Sequence, residues 1–305
     1  MRHRHVGGVP ANSLPRCAMN FDFSCLYSGP RTILLIHGLW TTPRVWSYFK
    51  TCFEERGHPV LAPAWPGMEG GLEDLRRDAS ALAGLGIEEI ADHYECIIRS
   101  LERPPILMGH CVGGLVVQML LDRGLGSAGV SISAPAPHGV SRLPFTTLKA
   151  GLPALGNPLN YRRTVALTFE QFYQTFAGTM NEEDAWLAYE AYAVPTPGRP
   201  LFQLALGSFT LRPAHFVRHL NRDRQPLLLL AGREDRLVPP LVNALNYKLY
   251  RRSSAITDYR EFPGRSHLMI AQPGWEEVAL YALNWGERRT VSAELAARHV
   301  RPSVP

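Results

Sequence analysis

The hexapeptide Gly109–Gly114 holds a cysteine in a setting typical of a nucleophile. Its residues, Gly-His-Cys-Val-Gly-Gly, follow an apolar run and precede a stretch with helical spacing at 114–123. A strand, the pattern G-x-C-x-G and a helix form the layout of a nucleophile elbow, whose central residue sits in a tight, strained turn. Gly109 and Gly113 would remove the collisions of that turn. The helix N-terminus would favour a thiolate at Cys111, and later an oxyanion beside it.

Acyl transfer also needs a base beside the nucleophile and a carboxylate that holds the base. The segment Gly232–Pro239 follows an apolar strand and has the pattern G-x-x-D-x-x-V-P, which places Asp235 just past the strand end. His267 follows the next predicted strand. Since parallel strands end at one edge of a sheet, we assign Cys111 as nucleophile, Asp235 as orienting acid and His267 as base. Glu234 is the weaker alternative acid, because side chains at adjacent loop positions point apart.

Oxyanion donors and pocket residues are expected beside this triad. The backbone N–H groups of Leu39 and Val112 are the predicted donors, since one follows the first strong strand and the other follows the nucleophile. Trp40 would flank the pocket, or else pack under the cap described below. His138 and Phe172 are further candidates for substrate contact, with a solvated surface as the alternative for His138.

Other side chains near these motifs receive structural interpretations. His37, at a strand end, is expected to hold the oxyanion loop, and His110 to be a packed core residue that points away from the nucleophile. His215 is interpreted as solvated surface or as a pocket wall. For Cys111 the structural alternative is a buried, inert thiol.

The elements around these residues alternate between apolar strands and amphipathic helices. Strands are predicted at 32–36, 59–62, 105–108, 129–134, 227–231 and 256–262. Helices are predicted at 43–56, from 72 to about 101 with an interruption near Gly84 and Gly86, at 114–123, at 239–250, and from 274 to about 285. This rhythm predicts an α/β protein with a doubly wound, mostly parallel sheet. The predicted organisation is a flexible N-terminal segment at 1–28 with an edge strand at Met19–Phe23, a core at 29–134 and 224–286, a helical cap at 135–223, and a mobile, charged tail at 287–305.

Composition excludes several other classes of protein. The chain has 305 residues, of which 46% are hydrophobic and 19% charged, which suits one large domain with an insertion. The net charge of +5 comes from scattered arginines, so nucleic-acid binding is not predicted. No stretch approaches the roughly 20 apolar residues of a membrane span, and no signal peptide is evident.

The cysteines point to a reducing compartment. There are five, an odd number with no C-x-x-C pair: Cys17, Cys25, Cys52, Cys96 and Cys111. This usage argues against a disulfide framework and against a zinc site. A cytoplasmic protein without a metal is therefore expected.

From Arg31 to Trp285 the chain resembles the α/β-hydrolase superfamily. The resemblance is to capped bacterial members, whose cap reads like Asn157–Asn160 and Thr168–Phe172, and whose end reads like Glu261–His267 followed by Gln272–Ala279. It implies the fold of a sheet with a cap, the triad positions, and activity on carbonyl substrates without a cofactor.

Cys111 departs from the family pattern, which has serine at this position. Dienelactone hydrolases and some natural-product thioesterases are similar in using cysteine on this fold. We therefore expect acyl transfer from a small-molecule thioester or activated ester, free or bound to a carrier or coenzyme A, through an acyl-Cys111 intermediate. The alternatives are a non-covalent lyase or cofactor-free oxygenase with His267 as base, a ligand-binding module, and a serine hydrolase engineered to carry cysteine. The sequence predicts no oligomeric state.

Overall fold

The computed structural model describes residues 29–140 and 155–300 of the chain. The chain divides into two units, Met1–Pro30 and Arg31–Pro305, and the elements named below all belong to the second. The predicted flexible segment 1–28, with its edge strand at Met19–Phe23, lies outside the described residues.

A parallel sheet forms the framework of the second unit. The strands are β1 (Ile33–Ile36), β2 (Val60–Leu61), β3 (Ile106–His110), β4 (Ala128–Ile132), β5 (Thr164–Val165), β6 (Thr196–Pro197), β7 (Leu227–Gly232) and β8 (Thr257–Phe262). In the described part of the chain, six of them form one sheet in the order β2-β1-β3-β4-β7-β8, and every neighbouring pair is parallel. All residues of β1, β3, β4 and β7 are buried, which accounts for their predominantly apolar sequences. The predicted sheet is confirmed.

Helices connect these strands. They are α1 (Ser47–Glu54), α2 (Leu72–Arg77), α3 (Ile87–Ser100), α4 (Val112–Asp122), α5 (Phe169–Thr175), α6 (Glu182–Tyr192), α7 (Arg199–Leu206), α8 (Pro240–Tyr250) and α9 (Trp275–Val300). Helix α4 packs on β1, β3 and β4, and its first ten residues are buried. Helix α8 packs on β7 and β8. Across the two described ranges, no helix combines the length and the apolar character that a membrane crossing requires.

The chain between β4 and β7 contains helices α5 to α7 together with an unpredicted pair of strands. β5 and β6 pair antiparallel, with Thr164 opposite Pro197 and Val165 opposite Thr196. Their two-residue lengths are too short for an alternating pattern to be visible in the sequence. We call the described part of this insertion, residues 135–140 and 155–223, the cap.

The cap is joined to the core by an arginine of α2. Arg76 donates hydrogen bonds to the carbonyls of Ala193, Tyr189 and Glu190 at 3.1, 3.1 and 2.8 Å. These carbonyls lie at the C-terminal end of α6, where the last carbonyls of a helix have no partner within the helix. One guanidinium therefore satisfies this helix end and holds the cap against α2.

The last helix is longer than the sequence pattern predicts. α9 continues to Val300, so the prediction of a helix ending near Trp285 is wrong, while the mobility of the tail at 287–305 stays a prediction. Arg289 binds Asp258 of β8 at 2.7 Å, and Thr290 is buried with its hydroxyl donating to the Gly286 carbonyl at 2.9 Å. These contacts hold a charged segment in helical form without the apolar stripe by which a helix is recognised.

Candidate active site

Cys111 occupies a strained turn between β3 and α4. Its backbone has φ 54° and ψ −126°, a region that side-chain-bearing residues rarely adopt. A Cβ at Gly109 would lie 2.1 Å from the Gly113 carbonyl oxygen, and a Cβ at Gly113 would lie 2.1 Å from the Ile36 carbonyl oxygen. Both glycines are therefore required by the turn, as the pattern G-x-C-x-G predicts.

Backbone strain is concentrated at the carboxyl edge of the sheet. In the described ranges, the residues other than glycine with positive φ are Trp40 at 59°, Cys111 at 54° and Ser133 at 46°. They follow β1, β3 and β4, which are neighbours in the sheet. Such residues cost about 1–3 kcal/mol each and cluster at functional sites. The strain thus marks this edge as the candidate active site.

Asp235 and His267 form a buried pair. The Oδ2 atom of Asp235 lies 2.8 Å from Nδ1 of His267, and neither side chain is exposed to solvent. The Oδ1 atom accepts two backbone N–H groups, from Leu237 at 2.9 Å and Val238 at 2.8 Å. The carboxylate is fixed by the chain that follows it, so it can fix the imidazole ring in turn.

The charge of this pair favours a protonated imidazole. Burial lowers the pKa of His267, but Asp235 and Cys111 outweigh that effect and raise it from 6.5 to about 10. The Nε2 atom of His267 is buried and forms no hydrogen bond within the described part of the chain. Cys111 is the thiol that acts on this ring electrostatically. The structure thus brings Cys111, His267 and Asp235 together, while Glu234 lies exposed.

His110 joins the elbow to the loop of His267. Its Nε2 atom donates to the His267 carbonyl at 2.8 Å, and the two rings have their centroids 4.7 Å apart. Burial, with the nearby His267, holds the pKa of His110 well below its ordinary value of 6.5, so this ring is neutral. The sequence correctly predicts a packed core residue, but it gives no sign of this partner.

The loop after β1 passes against the nucleophile. A Cβ at Gly38 would lie 2.5 Å from the Cβ of Cys111, so only glycine permits this approach. The Nδ1 atom of His37 lies 3.0 Å from the Gly38 carbonyl, and its ring stacks on Trp65 at 4.5 Å. Burial lowers the pKa of His37 to about 4. A neutral, stacked His37 therefore holds this loop, and Leu39 and Val112 stay the predicted oxyanion donors.

An aromatic ring of the cap packs against His267. Phe176 meets the His267 ring edge-on, with centroids 4.7 Å apart, and its backbone carbonyl accepts the Leu268 N–H at 2.9 Å. Phe172 stacks on Phe176 at 5.0 Å and is fully buried. Trp40 meets Phe176 edge-on at 6.1 Å. Phe172 and Trp40 thus contact the ring that packs on His267. The sequence analysis does not single out Phe176, although its spacing of four residues from Phe172 is that of neighbours on a helix face.

The other histidine candidates lie together elsewhere. The backbone N–H of His138 donates to the His215 carbonyl at 3.0 Å, and their rings are 6.1 Å apart. Among the described residues, no hydrogen bond or ring contact of His138 reaches the triad. His215 is buried against Gly207, so the prediction of a solvated surface at His215 is wrong. Burial lowers its pKa to about 4.

The described residues provide no metal ligands in the arrangement that an ion needs. Within 29–140 and 155–300, no group of three or more His, Cys, Asp or Glu side chains is placed to hold one. Cys52, Cys96 and Cys111 are free thiols.

Comparison with known proteins identifies the family of this fold and elbow. A model of the alpha/beta hydrolase family matches residues 33–279. The chain belongs to the alpha/beta hydrolase family. No curated protein sequence matches this alpha/beta hydrolase.

Solved structures share the fold of this alpha/beta hydrolase at low sequence identity. A monoacylglycerol lipase from Paleococcus ferrophilus is 19% identical with a TM-score of 0.60, covering 86% of this chain and 96% of its own. An extracellular alpha/beta-hydrolase from a Paenibacillus species is 22% identical with a TM-score of 0.61, covering 82% and 96%. A variant of tomato methylketone synthase I is 15% identical with a TM-score of 0.61, covering 85% and 99%. At these identities the similarity is one of fold.

Proposed function

We propose that this alpha/beta hydrolase is an acyl-transfer enzyme that acts on esters or thioesters through a covalent acyl-Cys111 intermediate. The observation that carries the proposal is the position of Cys111 at the strained elbow, against an imidazole whose other nitrogen is fixed by a buried carboxylate. An inert core cysteine would need neither the positive φ nor the buried His267–Asp235 pair.

The steps of the reaction follow from the positions of the three side chains. The thiol proton passes to Nε2 of His267, and the raised pKa of that ring stabilises the resulting imidazolium. The sulfur attacks the substrate carbonyl, and the N–H groups of Leu39 and Val112 take the negative charge that develops on its oxygen. The intermediate collapses to a thioester on Cys111, and the departing alcohol or thiol takes the proton from His267.

A second nucleophile completes the cycle. His267 removes its proton as it attacks the acyl-Cys111 thioester, which releases the acyl group and restores the thiol. Water gives hydrolysis, whereas an amine, alcohol, thiol or carbon nucleophile gives transfer or cyclisation. A thioester is more receptive to such acceptors than an oxoester, and aromatic cover by Phe176 would limit access of water.

The substrate we propose is a small acyl compound with an apolar acyl group, free or carried on coenzyme A or a carrier. Trp40, Phe172 and Phe176 give the surroundings of His267 an aromatic character. His138 stays a proposed pocket residue. The name of the Paleococcus relative describes a lipase, a class that acts on esters, and this is consistent with the proposal. A reducing compartment such as the cytoplasm would keep the nucleophilic thiol reduced.

Intact-mass measurement after mixing with a panel of acyl thioesters and p-nitrophenyl esters tests the proposal. We expect an adduct of one acyl group in the native protein and none in Cys111→Ala. Cys111→Ser is the matched variant, because it keeps a nucleophile with a shorter reach and a higher pKa. Full turnover by Cys111→Ala would instead support a non-covalent reaction with His267 as base. Absence of both adduct and turnover across the panel would favour a ligand-binding module.

A further inference from the structure

Trp40 is held by the cap through both its side chain and its backbone. Its indole Nε1 donates to the Val165 carbonyl of β5 at 3.0 Å. Its own carbonyl accepts the N–H of Val194, two residues before β6, at 3.1 Å. The residue is 3% exposed and has a positive φ of 59°. Strand β5 and the segment just before β6 therefore hold one strained residue of the core from two sides.

That residue adjoins the proposed oxyanion donor. Leu39 precedes Trp40, and both belong to the loop that passes against Cys111 at Gly38. A positive φ at a tryptophan costs about 1–3 kcal/mol, whereas one hydrogen bond contributes about 0.5–1.5 kcal/mol net. The two bonds to the cap are thus of the size needed to hold Trp40 in this conformation. Without them, we expect the loop to relax and the N–H of Leu39 to move away from the oxyanion.

We propose that Trp40 is a positioning residue through which the docked cap sets the oxyanion hole. The inference rests on the proposed function, since it concerns the same acylation step. Two reactions of Cys111 distinguish this positioning role of Trp40 from a general role in packing. Acylation by an ester develops charge on a carbonyl oxygen and needs the donor at Leu39. Alkylation by iodoacetamide forms a C–S bond and expels iodide, and no such oxyanion develops.

Trp40→Phe removes the indole N–H and keeps an aromatic ring. Trp46→Phe is the matched control, because Trp46 is fully buried and its Nε1 has no hydrogen-bond partner within the described residues. Val194→Pro removes the backbone N–H that binds the Trp40 carbonyl, and Val194→Ala is its control with the N–H retained. One variant removes the indole hydrogen bond of Trp40 and the other removes the hydrogen bond to its backbone carbonyl, so the inference can still be tested if one variant fails to fold.

The measurements are single-turnover acylation by p-nitrophenyl esters and alkylation by iodoacetamide, both followed at Cys111. Loss of a whole oxyanion donor costs about 10²–10³-fold, so a displaced donor should slow acylation at least about tenfold. We expect this loss in Trp40→Phe and Val194→Pro, with alkylation within about twofold of native and both controls close to native. Acylation as fast as in the controls would overturn the inference, and so would equal loss of acylation and alkylation. If the native protein is neither acylated nor alkylated at Cys111, the proposed function itself fails and the inference falls with it.

Discussion

Replacing His110 by leucine should weaken the base while leaving all three triad residues unchanged in sequence. The Nε2–H of the His110 ring donates to the His267 backbone carbonyl, and both residues are buried. Leucine has similar volume but no donor, so the carbonyl is left unpaired inside the protein at a cost of about 1–3 kcal/mol. If about 1.4 kcal/mol of this cost falls on the orientation of the His267 ring, the reactivity of Cys111 drops about tenfold.

The pH profile of iodoacetamide alkylation measures this effect at Cys111. In His110→Leu we expect the alkylation rate near neutral pH to fall about tenfold, because the base beside Cys111 is no longer held in position. His110→Gln is the matched variant, because its amide N–H reaches about as far as the Nε2 of histidine. It should restore the native profile.

Two results would refute this reasoning about His110. One is a native alkylation profile in His110→Leu, which would mean that the bond to the carbonyl does not position His267. The other is failure of His110→Gln to restore the profile while its melting temperature matches that of the native protein. Thermal melts identify general damage, since each kcal/mol shifts the midpoint by a few degrees, about 2–4 °C, for a domain of 150–250 residues.

Two further predictions concern the triad and the cap. The raised pKa of His267 contributes stability that is fully present below pH 6.5 and is lost as the pH rises through about 10, so Asp235→Asn should lower the free energy of unfolding more at pH 6 than at pH 10. Urea denaturation at both pH values tests this, and an equal loss at both would contradict it. Arg76→Ala should remove the side-chain donor of three carbonyls at the end of α6, of which that of Tyr189 keeps the N–H of Ala193, and increase hydrogen exchange in the cap but not in β3 and β4. Arg76→Lys should not restore protection, because a single ammonium lacks the planar fork that reaches all three; full restoration would show that charge alone suffices.

The sheet and the elbow could be predicted because their signals are local. Strands covered on both faces are continuous apolar runs, and β1, β3 and β7 are visible as such. The elbow requires glycine at 109 because of the Gly113 carbonyl, and glycine at 113 because of the Ile36 carbonyl of β1, but both glycines stand in the short pattern G-x-C-x-G. The order of nucleophile, acid and histidine along the chain then predicted which strand ends meet.

The features that were missed depend on contacts between distant parts of the chain. The partner of His110 is a backbone carbonyl 157 residues away, which no spacing reveals. The two hydrogen bonds to Trp40 come from a strand of only two residues, β5, and from Val194, which lies just before β6. The extension of α9 depends on an ion pair of Arg289 with β8 rather than on an apolar stripe. In each case tertiary contacts decide the local conformation, because the local sequence favours no single conformation strongly.

The place of the cap in the chain also has a consequence for how this fold can change. β4 and β7 are neighbours in the sheet, with Ile132 paired to Leu230, although the whole cap separates them along the chain. The entropy of closing a flexible loop grows only with the logarithm of its length, and a doubling adds about 0.6 kcal/mol. Insertions between these strands therefore cost the folding of the sheet little. What restricts the sequence of such an insertion is instead its contact with Trp40. A new insertion must still present a carbonyl and an N–H to that residue.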